Sequence, residues 1–291
     1  MIVPRLGVMF DRAWDPAAIP EFAAATEQAG ADELWVVEDL GWNGGFTAAT
    51  AALAATRSLR VGLGIAPAPY RNPALFAMET ATLGRIFPGR FVAGLGHGVA
   101  GWIESVGAAP GSSMALLEES ILAVRALLRG ETVAVRGREV RLDDIRLVHP
   151  PREIPPVFAA AVRGKTLELA GRTAQGTVIA EGHGPAELPD ILARIESGGG
   201  AEDHELVVLA FARVAKDDTD APGDDELTRM VEGQAAWLGR RPADLFTVTG
   251  SPAEAAEQVR SLGRSGATSV ILRLVGPDPL KQFAAVRDEM S

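Results

Sequence analysis

The stretch Pro88-Gly-Arg-Phe-Val-Ala-Gly-Leu-Gly-His-Gly-Val-Ala-Gly-Trp-Ile-Glu-Ser-Val-Gly107 decides how the chain is read. Arg90 to Leu95 reads as a buried strand, with Pro88 and Gly89 in front and a glycine run behind. Gly94, Gly96, Gly98 and Gly101 remove side chains from the strand's carboxyl end, so a flat group can lie against bare backbone. His97 is the one polar side chain left in that gap, and the whole describes a floor for a cofactor ring. Gly96-His-Gly98-Val-Ala-Gly101 also has the letters of a dinucleotide-binding turn. That fingerprint should open a full helix and meet an acid at the end of a second strand. Here Trp102 to Val106 gives at most a short turn, and Glu118 and Glu119 fall inside an amphipathic helical run, so the context opposes it.

Outward from this segment, strand-like runs occur at Leu6–Phe10, Glu33–Glu38, Leu59–Ala66, Pro156–Val162, Thr177–Glu181, Leu206–Val214 and Ser269–Val275. They are short, rich in Val, Ile and Leu, and mostly do not alternate, as in strands buried on both faces of a parallel sheet. Helical patterns fall between them, and Asp15-Pro16 and Ser251-Pro252 each set a capping side chain before a proline at a helix start. Eight strands alternating with helices predict an α/β protein, a single (β/α)8 barrel over residues 1–291, with a doubly wound sheet as the alternative. Two insertions are expected. One is a β-ribbon within Glu131–Val148 that turns at Gly137, and the other is an acidic surface loop at Lys216–Glu226 after the seventh strand.

Composition narrows the function classes. The 291 residues carry a net charge of −10 and no clustered Lys/Arg, which gives no footprint for nucleic acid or an anionic membrane. The absence of cysteine removes disulfides, thiolate catalysis and cysteine-bound metal. No apolar run is long enough to span a bilayer, and the start Met-Ile-Val-Pro-Arg-Leu-Gly has no signal-peptide pattern, so a cytoplasmic protein is expected. The four histidines lack ligand spacing, so no metal site is expected. His149 reads as structural, His204 as a surface residue, and His183 as a group able to face the site.

Barrel enzymes work at the carboxyl ends of their strands. The second strand ends in Glu38-Asp39, two acids suited to a polar ring edge or to proton exchange; Asp39 alternatively caps a turn. Trp42 in the loop beyond covers a ring or closes the rim. The third strand ends in Gly64-Ile-Ala-Pro-Ala-Pro-Tyr-Arg-Asn-Pro73, whose prolines force irregular backbone and which holds the chain's only tyrosine, Tyr70. The fifth runs into Ala159-Ala-Ala-Val-Arg-Gly-Lys-Thr166, a near miss of a phosphate-binding loop whose first glycine is missing. What survives is an anion site at a helix start, made by Arg163 and the N–H groups around Gly164; a plain strand-to-helix turn is the alternative.

With these residues in view, the chain resembles the luciferase-like monooxygenase superfamily, and within it the branch of coenzyme F420-dependent reductases. The Arg71-Asn-Pro73 turn, Pro88-Gly-Arg-Phe-Val-Ala-Gly-Leu-Gly96 and Leu169-Ala-Gly-Arg-Thr-Ala-Gln-Gly176 carry the likeness. The resemblance implies a flat tricyclic ring across the barrel mouth and a hydride passed between coenzyme F420 and a small organic substrate. A monooxygenase using FMN and oxygen, and a barrel that only binds a flavin, are the alternatives. By matching motif it implies Asp39 at the ring's polar edge. Gly64, Ile65 and Ala66 would form a bulge behind the ring, a place where the family often has a non-proline cis peptide. Gly96, His97 and Gly98 would flank the ring, Ala160, Ala161, Val162, Arg163 and Gly164 would line the phosphate, and the chain would pair as a homodimer. Leu40 and Gln175 stand where family members often have histidine and aspartate, which leaves Glu38, Asp39 and His97 as candidate proton handlers.

Overall fold

The computed structural model describes residues 3–214 and 225–290. Its strands are β1 (Arg5–Met9), β2 (Glu33–Val36), β3 (Arg60–Pro67), β4 (Phe91–Gly96), β5 (Val133–Arg136), β6 (Arg141–Ile145), β7 (Val157–Ala160), β8 (Gly176–Ile179), β9 (Glu205–Val214), β10 (Val248–Gly250) and β11 (Ser269–Leu274). The helices are α1 (Ile19–Gln28), α2 (Gly45–Ala55), α3 (Pro73–Ile86), α4 (Ala100–Ser105), α5 (Ser113–Leu128), α6 (Gly164–Thr173), α7 (Leu188–Ser197), α8 (Asp225–Leu238), α9 (Pro252–Arg264) and α10 (Pro279–Met290).

Eight strands close on themselves in the order β1-β2-β3-β4-β7-β8-β9-β11, and all these pairings are parallel. The β8–β9 pairing closes the ring, which makes the molecule a (β/α)8 barrel and removes the open, doubly wound alternative. The ribbon forms as expected, β5 against β6, with Gly137 donating its N–H to the Val140 carbonyl at 2.9 Å in the turn. Two elements depart from the sequence reading. Trp102 belongs to the short helix α4, and β10 adds a three-residue parallel strand beside the carboxyl end of β9. Most of the expected acidic loop, residues 216–224, lies outside the described residues.

Both expected caps are present. Asp15 accepts the Ala17 N–H at 2.9 Å, and Ser251 with Glu254 forms a reciprocal capping box. One apolar layer fills the space between helices and strands; a second, made of Met9, Trp35, Val92, Phe158, Val178, Val207, Leu209 and Ile271, fills the barrel itself. Trp35 is fully buried there because Gly62 and Gly64 leave it room: a Cβ on either would stand 2.3 Å or 2.6 Å from the indole. The amino-terminal end of the barrel is tied by charge. Glu33 has no exposure, accepts from Trp35 Nε1 at 2.7 Å and Ser269 Oγ at 3.0 Å, and pairs with Arg60, which reaches on to Glu205. His204 joins this end, half-buried with Nε2 2.8 Å from Thr177 Oγ1, and is therefore not the surface residue expected from the sequence.

Candidate active site

The carboxyl end of the barrel has a closed half and an open half. In the closed half Arg273 on β11 donates to Asp11 beyond β1 at 2.7 Å and to Glu181 beyond β8 at 3.2 Å. His183 is buried nearby, its Nδ1 3.0 Å from the Ala180 carbonyl. The open half lies over β2, β3, β4 and β7, where most of the residues singled out in the sequence stand.

Glu38 is buried and both its oxygens are engaged. Oε2 accepts the Gly45 N–H at the start of α2 at 2.9 Å, and Oε1 meets the guanidinium of Arg71, which also pairs with Glu79 at 3.1 Å. Glu38 thus ties the end of β2 to the loop after β3. Asp39 instead turns to Arg12, with which it forms an ion pair in the open mouth. Arg12 stacks 4.7 Å from the Trp42 ring centroid and 5.7 Å from that of Trp102, and the two indoles lie 5.8 Å apart. The Tyr70 hydroxyl is shielded from solvent and has no hydrogen-bond partner among the described residues. Burial, and then the negative charges of Asp39 and Glu38, push its phenol above the ordinary value.

The Gly64–Ile65 peptide is cis, and the β3–β4 register shifts between Leu63 and Ala66, so the expected bulge is present. It also gives the glycines of β4 a reason the sequence reading did not contain. A Cβ on Gly94 would stand 2.2 Å from the Leu63 carbonyl oxygen, and one on Gly96 2.9 Å from Ile65 Cδ1. These two glycines therefore make room for the neighbouring strand, while Gly98 supplies a positive φ of 72° where the chain leaves β4.

His97 reaches toward β7. Its Nε2 lies 3.4 Å from Thr166 Oγ1 in the first turn of α6, and its Nδ1 is buried without a well-formed hydrogen bond. Burial holds the imidazole pKa below its ordinary value, with the Ser113 backbone pulling weakly the other way. Ala160 ends β7, and Ala161 and Val162 lead to Arg163 at the N-cap of α6, which no side chain caps. Arg163 is exposed, and the guanidinium of Arg194 lies about 3.8 Å from where a Cβ on Gly164 would stand. The helix start thus combines free amides and cations, the chemistry an anion needs.

Sequence reasoning missed Arg12 and the Asp11–Arg273–Glu181 triad. Their signal was position alone: each follows or ends a barrel strand on the side where such sites form. No group of three or more His, Asp or Glu among the described residues has metal-binding geometry, and no helix there is long and apolar enough to cross a membrane.

A model of the luciferase-like monooxygenase family matches residues 1–269. The chain belongs to that family. Among its curated relatives, 5,10-methylenetetrahydromethanopterin reductase of Methanolobus tindarius is 27% identical over 137 residues, 47% of this chain and 42% of the relative. The F420-dependent glucose-6-phosphate dehydrogenase of Kineococcus radiotolerans is 30% identical over 158 residues, 50% of this chain and 47% of the relative. The matched region therefore spans about half the length of these relatives. The family fold recurs in solved structures. An F420-dependent secondary alcohol dehydrogenase in complex with an F420–acetone adduct superposes with a TM-score of 0.85 at 19% identity, covering 99% of each chain. The FMN-bound oxygenating constituent of 3,6-diketocamphane monooxygenase from Pseudomonas putida gives 0.78 at 16%, covering 99% of this chain and 97% of that one.

Proposed function

We propose that this luciferase-like protein is an oxidoreductase that transfers a hydride between coenzyme F420 and a small organic substrate. The observation that carries this is the contact of His97 with Thr166, which joins the end of β4 to the uncapped start of α6 in one open site. The residues present fit a phosphorylated deazaflavin. The start of α6 with Arg163 and Gly164 suits its phosphate, with Ala160, Ala161 and Val162 beneath, and the unpartnered Tyr70 hydroxyl and Asp39 offer a polar edge to its ring. Gly64, Ile65 and Ala66 would back that ring, and Gly96, His97 and Gly98 flank it. The deazaflavin, when bound, supplies the hydride chemistry.

The chain's own part is orientation and proton handling. His97, whose pKa burial keeps low, is neutral at pH 7 and able to accept a proton, which its contact with the Thr166 hydroxyl steadies. Asp39 pairs with Arg12 and offers acceptor oxygens at the mouth. Glu38, with both oxygens engaged, is a weaker candidate for moving a proton and serves chiefly to hold the β3–α3 loop through Arg71. Trp42 and Trp102 set an apolar wall along one side of the mouth.

FMN-dependent oxygenation is the second reading. It is favoured by 4-hydroxyprotoasukamycin monooxygenase of Streptomyces nodosus subsp. asukaensis, 32% identical over 140 residues. A titration with coenzyme F420 and with FMN, followed by absorbance and fluorescence, separates the two. Binding of F420 and turnover on a carbonyl or imine panel is the expected result. Oxygen consumption with reduced FMN would establish the second reading, and flavin binding without any turnover would reduce the protein to a binding barrel. The proposal includes a homodimer. Leu75, Met78 and Ile86 expose apolar surface along α3, with Leu122 of α5 also exposed. Sedimentation of the wild type and of a Met78→Glu variant tests it: a dimer weakened by the substitution is expected, and a monomeric wild type refutes it.

A further inference from the structure

Four arginines at the two ends of the barrel share a pattern that Arg12 does not follow. Arg5 and Arg60 each pair with both Glu33 and Glu205. Arg71 pairs with Glu38 and Glu79, and Arg273 with Asp11 and Glu181. Each of these four guanidiniums is shared between two carboxylates, which matches the planar fork to two acceptors. Arg12 meets one carboxylate, Asp39, through Nη1 alone. Its side chain is 33% exposed, and its remaining N–H donors have no partner in the described residues. Arg60, Arg71 and Arg273 each lie over a single phenylalanine ring, whereas Arg12 is stacked against two indoles, contributed by the loop after β2 and by α4. Trp42 is 49% exposed, so its aromatic surface is open to a ligand.

We infer that Arg12 is the substrate anchor of the mouth, and that the substrate is a flat, conjugated carboxylic acid. Its carboxylate takes the second place on Arg12, beside Asp39, and its conjugated plane lies against Trp42 and Trp102. The two contacts support each other. A guanidinium already fixed by stacking loses little freedom on binding a carboxylate, and a planar ligand gains dispersion from the indoles without displacing the ion pair. A lysine in the same place would offer a point charge without the fork. This inference rests on the mouth being the active site, as proposed above, but does not depend on which cofactor serves it.

The test uses the full chain, with and without F420 or FMN, and trans-cinnamate and cinnamamide as probes. The two share a plane and differ in the carboxylate. Indole fluorescence excited beyond the probes' absorption, with calorimetry in parallel, reads the binding. Cinnamate is expected to quench the indoles and to bind at least about tenfold tighter than the amide, a preference that added salt reduces. Arg12→Gln should abolish the preference, and Arg12→Lys should keep part of it. Trp42→Leu should weaken both probes alike and leave their ratio intact. Equal binding of acid and amide, no binding of either, or an undiminished preference in Arg12→Gln would each overturn the inference. The wild-type comparison of acid with amide stands even if a variant fails to fold. An acid preference that persists when neither cofactor gives turnover would sink the proposed activity and leave the anchor in place.

Discussion

His97 and Arg163 carry the predictions that belong to single residues. The folded-state pKa of His97 lies below its ordinary value of 6.5, so between the two values the unfolded chain binds more protons than the folded one. Its contribution to stability is therefore present above the unfolded value and falls as the pH drops below it. His97→Gln keeps a hydrogen-bonding group and cannot exchange a proton. It should bind cofactor like the parent, lose turnover by about 100-fold, and flatten the pH profile of kcat on the acidic side. Stability measured from pH 7.5 down to 5.5 should fall less in His97→Gln than in the parent. Full turnover with the parental profile would make His97 a scaffold for its loop. At the start of α6, Arg163→Glu places a negative charge beside the proposed phosphate. Cofactor affinity should drop by about tenfold or more at low salt, and the gap should narrow as salt rises. Equal affinities at low salt would remove the phosphate from this helix.

At the scale of elements, the join between α1 and the start of β3 rests on one carboxylate. Glu27 accepts the N–H groups of Arg57, Ser58 and Leu59 and the Ser58 hydroxyl, all between 2.7 and 3.1 Å. Burial pushes its pKa up, but these hydrogen bonds outweigh burial and hold it at about 2. Because the folded value is depressed, the stabilisation is complete above the ordinary carboxylate range and is lost as pH falls from about 4.5 toward about 2. Glu27→Gln has one acceptor oxygen in place of two and no charge. Solvent screens part of the effect, so the expected loss is about 1–2 kcal/mol at pH 7. Urea unfolding at a series of pH values checks this, and the parent and variant curves should converge near the acid end. A constant difference across that range would place the effect in packing and not in charge.

For the whole molecule, the barrel is closed at each end by charges drawn from strands distant in sequence. Arg60 and Arg5 link β1, β2, β3 and β9 below, while Arg273 links the ends of β1, β8 and β11 above. Arg273→Met would leave Asp11 and Glu181 buried without their cation, at a cost of about 3–5 kcal/mol. Replacing all three with apolar residues of similar volume should recover most of that loss, since the pair's attraction is offset by its desolvation. Denaturant midpoints of the single and triple variants give the comparison. A triple variant as unstable as the single one would mean that the ions themselves, and not the uncompensated charge, hold the mouth.

The sequence alone determined the strands and most of the helices, because burial on both faces writes itself locally as short apolar runs and helix starts carry their own caps. Asp15 and Ser251 cap as their neighbours demand, and all eight barrel strands fall within about two residues of the expected places, with β2, β7 and β8 each stopping short. The irregular backbone after β3 and the unguarded start of α6 were legible for the same reason, as features of consecutive residues, while the place of the bulge at Gly64–Ile65 came from the family resemblance. The short strand β10 was not, since three residues give too little pattern to read and pair only because β9 extends beyond its neighbours. Only the tertiary structure decided which charges meet. Nothing local to Arg12 says that Asp39 faces it and that two indoles flank it, and Glu38 looked like a free acid until Arg71 and Gly45 took its oxygens. The glycines of β4 invited a ligand in one dimension; in three, Gly94 and Gly96 accommodate the neighbouring strand. Closure of the sheet brings β1 against β11 and sets such partners together, and that juxtaposition depends on side-chain reach across the mouth, which no spacing along the chain encodes.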